Sequence, residues 1–415
     1  MTSSARRVQH NFLGLQGYLP DAPLRLANAV LIVLALLAAV THYEPRIGTP
    51  ALVLLALVTM YGTIRTIPST FRAHWPWILG LVAIASVHVG AGLVQGAPLQ
   101  YFDRPIRPIL AVLIFFYLAR TGFREQWIWV GIGVTALMGA YIGLYEVFEQ
   151  GAGRASAGRN ANIYGLMMTI IALLTTWRAI RTEGRFEQWF FALCALAALT
   201  GALLSGSRAM WMVLAVFLPY LLMQIRSRAL LRYALPSALA LIAVAFLLTQ
   251  GQVAQRWDRT VTEIQSIAGG DFSTSIGKRI QMWNTGLHLA AENPLTGVGV
   301  SRQGRDEALE PMLDRLNYPH DLMATYGHFH NHYIDQAVTY GVWGVIGLSL
   351  FFYGIVGRLP SSVRTPCLLV LGTLFISGFV DSAMESGRVT WLLLLMVSVL
   401  RLSIPDKPGY QDSAA

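Results

Sequence analysis

The stretch WFFALCALAALTGALLSGSRAMWMVLAVFLPYLL, residues 189–222, decides the fold class. Two apolar runs flank a tight Ser205-Gly206-Ser207 turn, and Arg208 is the only charge among them. Each run approaches the roughly 20 apolar residues that cross a bilayer core. Outward from this hairpin the pattern repeats, and we expect spans near 24–42, 49–64, 75–94, 107–121, 126–148, 161–178, 187–205, 208–225, 233–250, 333–357, 365–381 and 387–404. The expected fold is all-α: a polytopic membrane bundle of about twelve helices.

Composition agrees. The 415 residues are 54% hydrophobic and 13% charged, with mean hydropathy +0.51; soluble domains carry about 25% charge. The net charge of +9 would point to nucleic acid in a soluble protein, but here it reads as topology, so no nucleic-acid partner is expected. With the N-terminus inside, seventeen Arg and Lys fall in inside segments and seven in short outside loops. That bias puts both termini in the cytoplasm. Cys194 and Cys367 lie in apolar runs and read as buried small hydrophobes. Met1 to Tyr18 is polar, so the first apolar run is expected to act as an uncleaved start.

Residues 251–332 break the rhythm, and the chain divides into 1–250 (spans one to nine), 251–332 (an outside loop) and 333–415 (spans ten to twelve and a cytoplasmic tail). The loop is not disordered in composition. Ile276, Ile280, Trp283 and Leu287 recur at helical spacing, and Arg302 to Asn317 reads as a short amphipathic helix. A folded loop of this size suits a lid or binding site.

Three constellations on the outside face could carry chemistry. Arg208 stands in the turn and opens the next helix, where an outside arginine runs against the topology rule. An anionic ligand would justify it, because guanidinium matches phosphate and the helix dipole adds positive potential; snorkelling to headgroups is the plainer account. Gly277-Lys278-Arg279-Ile280-Gln281-Met282-Trp283 places Arg279 beside an apolar face, with Asn293-Pro294-Leu295-Thr296-Gly297-Val298-Gly299 downstream. It fits a lipid phosphate or a basic helix resting on membrane lipids. His328-Phe329-His330-Asn331-His332-Tyr333 stands at the entrance to span ten. Alternate side chains share a face only in a strand, a helix starts here, and no nearby cysteine or well-spaced carboxylate completes a set, so a metal is not expected. A histidine at a helix N-terminus is kept neutral by the dipole, which suits a general base. Arg159-Asn160-Ala161-Asn162 opens span six on the same face. Asp381, Glu385 and Arg388 lie in the last outside turn, where the acids are expected to pair with arginines and fix the bundle.

In this order, the Ser-Gly-Ser-Arg turn, the Arg-x-x-x-Trp helix with its Asn-Pro-Leu-Thr-Gly-Val-Gly, and His-Asn-x-Tyr followed by Gly341-Val342-Trp343-Gly344 resemble the O-antigen ligase and polymerase superfamily. The resemblance runs from about Arg159 to Gly347. It implies an inner-membrane glycosyltransferase that moves a glycan from undecaprenyl pyrophosphate to a lipid A–core sugar hydroxyl at the periplasmic face. It implies Arg208 and Arg279 as pyrophosphate ligands, His330 as the base and His332 as a lesser candidate. Arg159, Asn162, Trp283, Arg302, Asn331, His332 and Tyr333 are the further substrate-binding candidates. No cofactor or metal is expected, because arginines can stabilise the leaving pyrophosphate. An O-antigen polymerase is the nearest rival. A transporter is a rival of another class, but its polar residues would sit at mid-membrane, whereas these cluster at one face.

Overall fold

The computed structural model describes residues 21–41, 48–158, 160–225, 257–322, 328–382, 384 and 386–403. The expected ninth span, Arg159 and Glu385 lie outside the described residues. Those residues hold helices and turns and no strand. The main helices are α1 (Asp21–Val40), α2 (Gly48–Val58), α3 (Ile67–Val94), α4 (Ile106–Thr121), α5 (Glu125–Leu144), α6 (Ala161–Arg181), α7 (Arg185–Leu204) and α8 (Arg208–Leu222). After them come α9 (Ser275–Glu292), α10 (Arg302–Leu316), α11 (His332–Tyr340), α12 (Val342–Val356), α13 (Ser361–Gly378) and α14 (Gly387–Leu402).

Among the described residues, five helices are long and apolar enough to cross a membrane: Ile67–Val94, Glu125–Glu149, Ala161–Arg181, Arg185–Leu204 and Ser361–Gly378. Shorter apolar helices include Gly48–Val58, Arg208–Leu222 and Val342–Val356. Helix α6 is the hub. It packs against α1, α5, α7, α8, α13 and α14, and residues from Tyr164 to Thr175 along it are buried all round. Outer helices turn apolar side chains such as Leu54, Leu193, Met212 and Phe375 outward, as a lipid-facing bundle requires. Helices α3 and α12 approach through Gly80 and Gly354, where an added Cβ would meet the facing backbone. Such small-residue contacts let membrane helices gain dispersion energy at close range.

The expected tenth span, 333–357, is two helices. Gly341 sits at φ 62°, ψ −148° between α11 and α12, a conformation open essentially to glycine. The Asn293–Gly299 loop docks on that break: Val342 N–H donates to the Pro294 carbonyl at 2.8 Å, and Val298 N–H to the Val338 carbonyl at 2.7 Å. The Asn-Pro-Leu-Thr-Gly-Val-Gly and Gly-Val-Trp-Gly segments are therefore one backbone joint. Around it α9, α10 and α11 share a core of their own, built from Met282, Leu289, Leu309, Met312, Phe329 and Val338. The expected stripe on α9 is corrected here. Ile280 and Leu287 are exposed, and the buried side runs through Gly277, Met282, Thr285, Gly286 and Leu289, because α10 and α11 pack on that side.

Candidate functional site

A cavity of about 450 Å³ opens where the α7–α8 turn, α9, the start of α6 and the end of α13 meet. Arg208 and Arg279 both line it, with Asn162, Trp283, Arg154 and Asp381. The sequence separates Arg208 from Arg279 by a long segment, yet both reach one space.

Local structure explains each placement. Gly206, at φ 58°, lets the chain reverse between α7 and α8, so Arg208 starts α8. Arg154 clamps that turn: its Nε donates to the Ser205 carbonyl at 2.6 Å and its Nη2 to Asn162 Oδ1 at 2.8 Å. Arg154 itself stands on a loop held by the buried Glu146 carboxylate, which accepts from the Ser156, Ala157 and Gly158 N–H groups at 2.6, 3.0 and 2.7 Å. Thr274 caps α9, accepting from Gly277 N–H, and one turn later Arg279 faces the cavity.

The two arginines differ. Arg208 is paired to Glu263, Nη1 to Oε2 at 3.1 Å and Nη2 to Oε1 at 3.5 Å, so a carboxylate of the helical stretch 257–268 answers the charge that the sequence reading left to a ligand. Arg279 has no hydrogen-bond or ion-pair partner among the described residues. Arg259 also lines the cavity. Four guanidinium groups against Glu263 and Asp381 leave the cavity net positive, the balance an anion would need.

His330 stands behind Asp381. Its Nδ1 is 3.5 Å from Asp381 Oδ1, and both side chains are 12% exposed. Asp381 Oδ2 accepts from Asn162 Nδ2 at 3.2 Å. A continuous polar chain thus runs from the Ser205 carbonyl through Arg154, Asn162 and Asp381 to His330. Burial alone would raise the Asp381 carboxyl, but the His330 and His328 imidazoles and the Asn162 amide outweigh it and hold it below the ordinary carboxylate range. His330 occupies left-handed backbone, φ 49°, which is uncommon for a side-chain-bearing residue and clusters at functional sites.

Two expectations are corrected here. Asp381 was expected to pair with an arginine; its partners among the described residues are His330, Asn162 and the Ser382 N–H. The dipole argument for a neutral His330 also fails, because Asn331 is the cap of α11, accepting from Tyr333 and Ile334 N–H groups, and His330 precedes it against a carboxylate. No spacing rule links positions 330 and 381, so Asp381 could be found only as an acid on the same outside face. The carboxylate judged missing from the histidine cluster is therefore present. Ligand atoms of His328, His330 and Asp381 lie within 4.8 Å of one another, a donor set that zinc could use.

The other candidates separate. His332 and Arg302 line a different cavity. Burial, reinforced by His88 and opposed by Asp381, pushes the His332 imidazole down to about 4. Tyr333 joins an aromatic group with Phe352, Phe375 and Phe379, its hydroxyl donating to the Phe375 carbonyl at 2.8 Å. With Asn331, which donates to the Phe379 carbonyl at 3.3 Å, it anchors the start of α11 to α13.

Comparison with known proteins agrees with the motif resemblance. Residues 192–349 match the family model described as O-antigen ligase. An uncharacterized protein of Haemophilus influenzae is 23% identical over 292 residues, 67% of this chain and 72% of that protein. The exopolysaccharide production protein ExoQ of Rhizobium meliloti is 32% identical over 152 residues, 34% of each chain.

Proposed function

From a multi-pass membrane chain that carries an O-antigen ligase family region over residues 192–349, we propose a ligase that transfers a glycan from undecaprenyl pyrophosphate to a lipid A–core sugar hydroxyl. The site faces the periplasm, and both termini lie in the cytoplasm. The family match over residues 192–349 supports a ligase- or polymerase-like glycosyltransferase; donor, acceptor and mechanism are our reading.

The observation that carries it is the convergence of Arg208 and Arg279 on one cavity whose wall is Asp381, the carboxylate against His330. Arg279 and Arg208 hold the pyrophosphate, with Glu263 displaced from Arg208. With Nδ1 turned to Asp381, Nε2 of His330 takes the acceptor proton. The acceptor oxygen forms its bond to the anomeric carbon from the face opposite the pyrophosphate, so configuration inverts. The carbon–oxygen bond to the pyrophosphate breaks, and its electron pair leaves on phosphate oxygens neutralised by the arginines. Asp381 stabilises the imidazolium formed. Arginines supply the charge stabilisation, so the reaction runs without a metal even though His328, His330 and Asp381 form a plausible donor set.

The test is transfer by purified protein from undecaprenyl-pyrophosphate glycan to lipid A–core, with and without EDTA. Equal ladders in both, lost in His330→Ala and Arg208→Ala, are the expected result. Loss in EDTA with restoration by zinc would replace the metal-free mechanism. A polymerase is the second reading, favoured by the similarity to an exopolysaccharide production protein; lengthening of the lipid-linked glycan with no core modified would establish it.

A further inference from the structure

A second, larger cavity of about 870 Å³ lies across the histidine cluster from the arginine site. Its polar lining comes mainly from segments 98–105 and 300–305, read as outside, and from 328–340, which joins the end of the expected outside loop to the start of the expected tenth span. One wall is an ordered sugar-like recognition surface. His88 Nε2 lies 3.0 Å from Gln336 Oε1, the Tyr101 hydroxyl donates to the His88 carbonyl at 2.9 Å, and it accepts from the Tyr340 hydroxyl at 3.0 Å. The Tyr340 ring stacks on His88 with centroids 4.3 Å apart. Flat rings edged with hydroxyl and amide groups suit a ligand with apolar faces and polar rims.

Charge narrows the ligand. Arg104, Arg302 and Arg305 line the cavity, and Asp335 is its one carboxylate among the described residues; Arg302 also pairs with Asp306 one turn on, Nε to Oδ2 at 3.8 Å. Asp335 is already engaged, accepting from Phe329 N–H at 2.9 Å and from the Ser382 hydroxyl. His332 supplies an independent sign of occupancy. It lines this cavity, is 6% exposed, and its Nδ1 has no hydrogen-bond partner among the described residues. A buried polar atom left unpaired is costly, so native structures rarely keep one without a ligand or water.

Resting on the transferase reading above, we infer that this cavity is the acceptor subsite, and that the acceptor sugar carries a carboxylate or phosphate. The acid meets Arg302 and Arg305, and ring hydroxyls meet His332 and Gln336. His328 lines the cavity, and its ring lies 4.2 Å from that of His330. His328 Nδ1 accepts the His330 N–H at 3.2 Å, which leaves its Nε2 to meet an acceptor oxygen. Donor and acceptor then approach the Asp381–His330 pair from opposite sides.

The test is saturation-transfer NMR on the full chain in detergent, without donor, using glucuronic acid and glucose 1-phosphate as probes and glucose as the neutral control. Both acids should give signals at least fivefold above glucose, and the signals should fall to the glucose level in Arg305→Ala and in His332→Leu. Tyr340→Phe, a milder change, should weaken them partially in a protein that melts like the parent. Equal signals from acids and glucose, or acid signals that survive Arg305→Ala and His332→Leu, overturn the inference. Binding is read without turnover, so intact transfer with no acid binding rejects the subsite alone. Acid binding with no transfer to core or to lipid-linked glycan rejects the transferase reading alone.

Discussion

His330 Nδ1 and Asp381 Oδ1 lie 3.5 Å apart across the junction of α11 with the turn after α13. This contact turns one imidazole nitrogen toward a carboxylate, and the proposed reaction uses the other as the base. Asp381 also reaches Asn162 on α6, which ties the histidine to the arginine cavity.

Replacing Asp381 by Asn keeps the shape and removes the charge that stabilises imidazolium. Positioned acid–base groups contribute about 10²- to 10⁴-fold, so transfer should fall by about 10² or more with donor KM little changed. His330→Ala should fall comparably, and the double variant should be hardly worse, because the pair acts as a unit. Initial rates of the four proteins check this.

The depressed Asp381 carboxyl also makes a pH prediction. A free aspartate titrates near about 3.9. With the folded value lower still, the ionised form's contribution to stability is complete above the unfolded value and is lost as pH falls through the folded one. The Tm gap between wild type and Asp381→Asn should be present at neutral pH and narrow only below about pH 4. Melting curves across pH in detergent read it directly.

Arg208 and Arg279 should respond differently. Arg279 has no partner to lose among the described residues, so Arg279→Ala should raise donor KM at least about tenfold, and Arg279→Lys should not rescue the forked contact. Glu263 is paired with Arg208, so in the proposed reaction it competes with the donor. The pair is partly buried, whereas exposed pairs are worth about 1 kcal/mol at most, so Glu263→Gln should lower donor KM by about fivefold or more. A rise in donor KM on Glu263→Gln would show that the pair positions Arg208 instead of masking it.

Gly341→Ala tests the joint between the loop and α12. The backbone at φ 62°, ψ −148° costs a side-chain-bearing residue about 1–3 kcal/mol, and an added Cβ would meet the Leu295 carbonyl and Thr296 N. The variant should melt lower and lose activity in step with its folded fraction.

Much of this protein was legible in its sequence, because the signals involved are local. Apolar runs announce membrane helices, since unpaired backbone polar groups cannot face lipid. The motif order pointed to the family that residues 192–349 match, Arg208 stood out as an arginine on the side expected to disfavour it, and Arg279 as one beside an apolar helix face. The tertiary structure alone decided how these pieces act together. It set Asp381 against His330, gave Arg208 a carboxylate partner in Glu263, broke the run 333–357 at Gly341, and put His332 on the wall of the larger cavity while His330 stayed buried behind Asp381. Those outcomes depend on how helices distant in sequence pack and turn, and periodicity carries no information about which side chains meet across them.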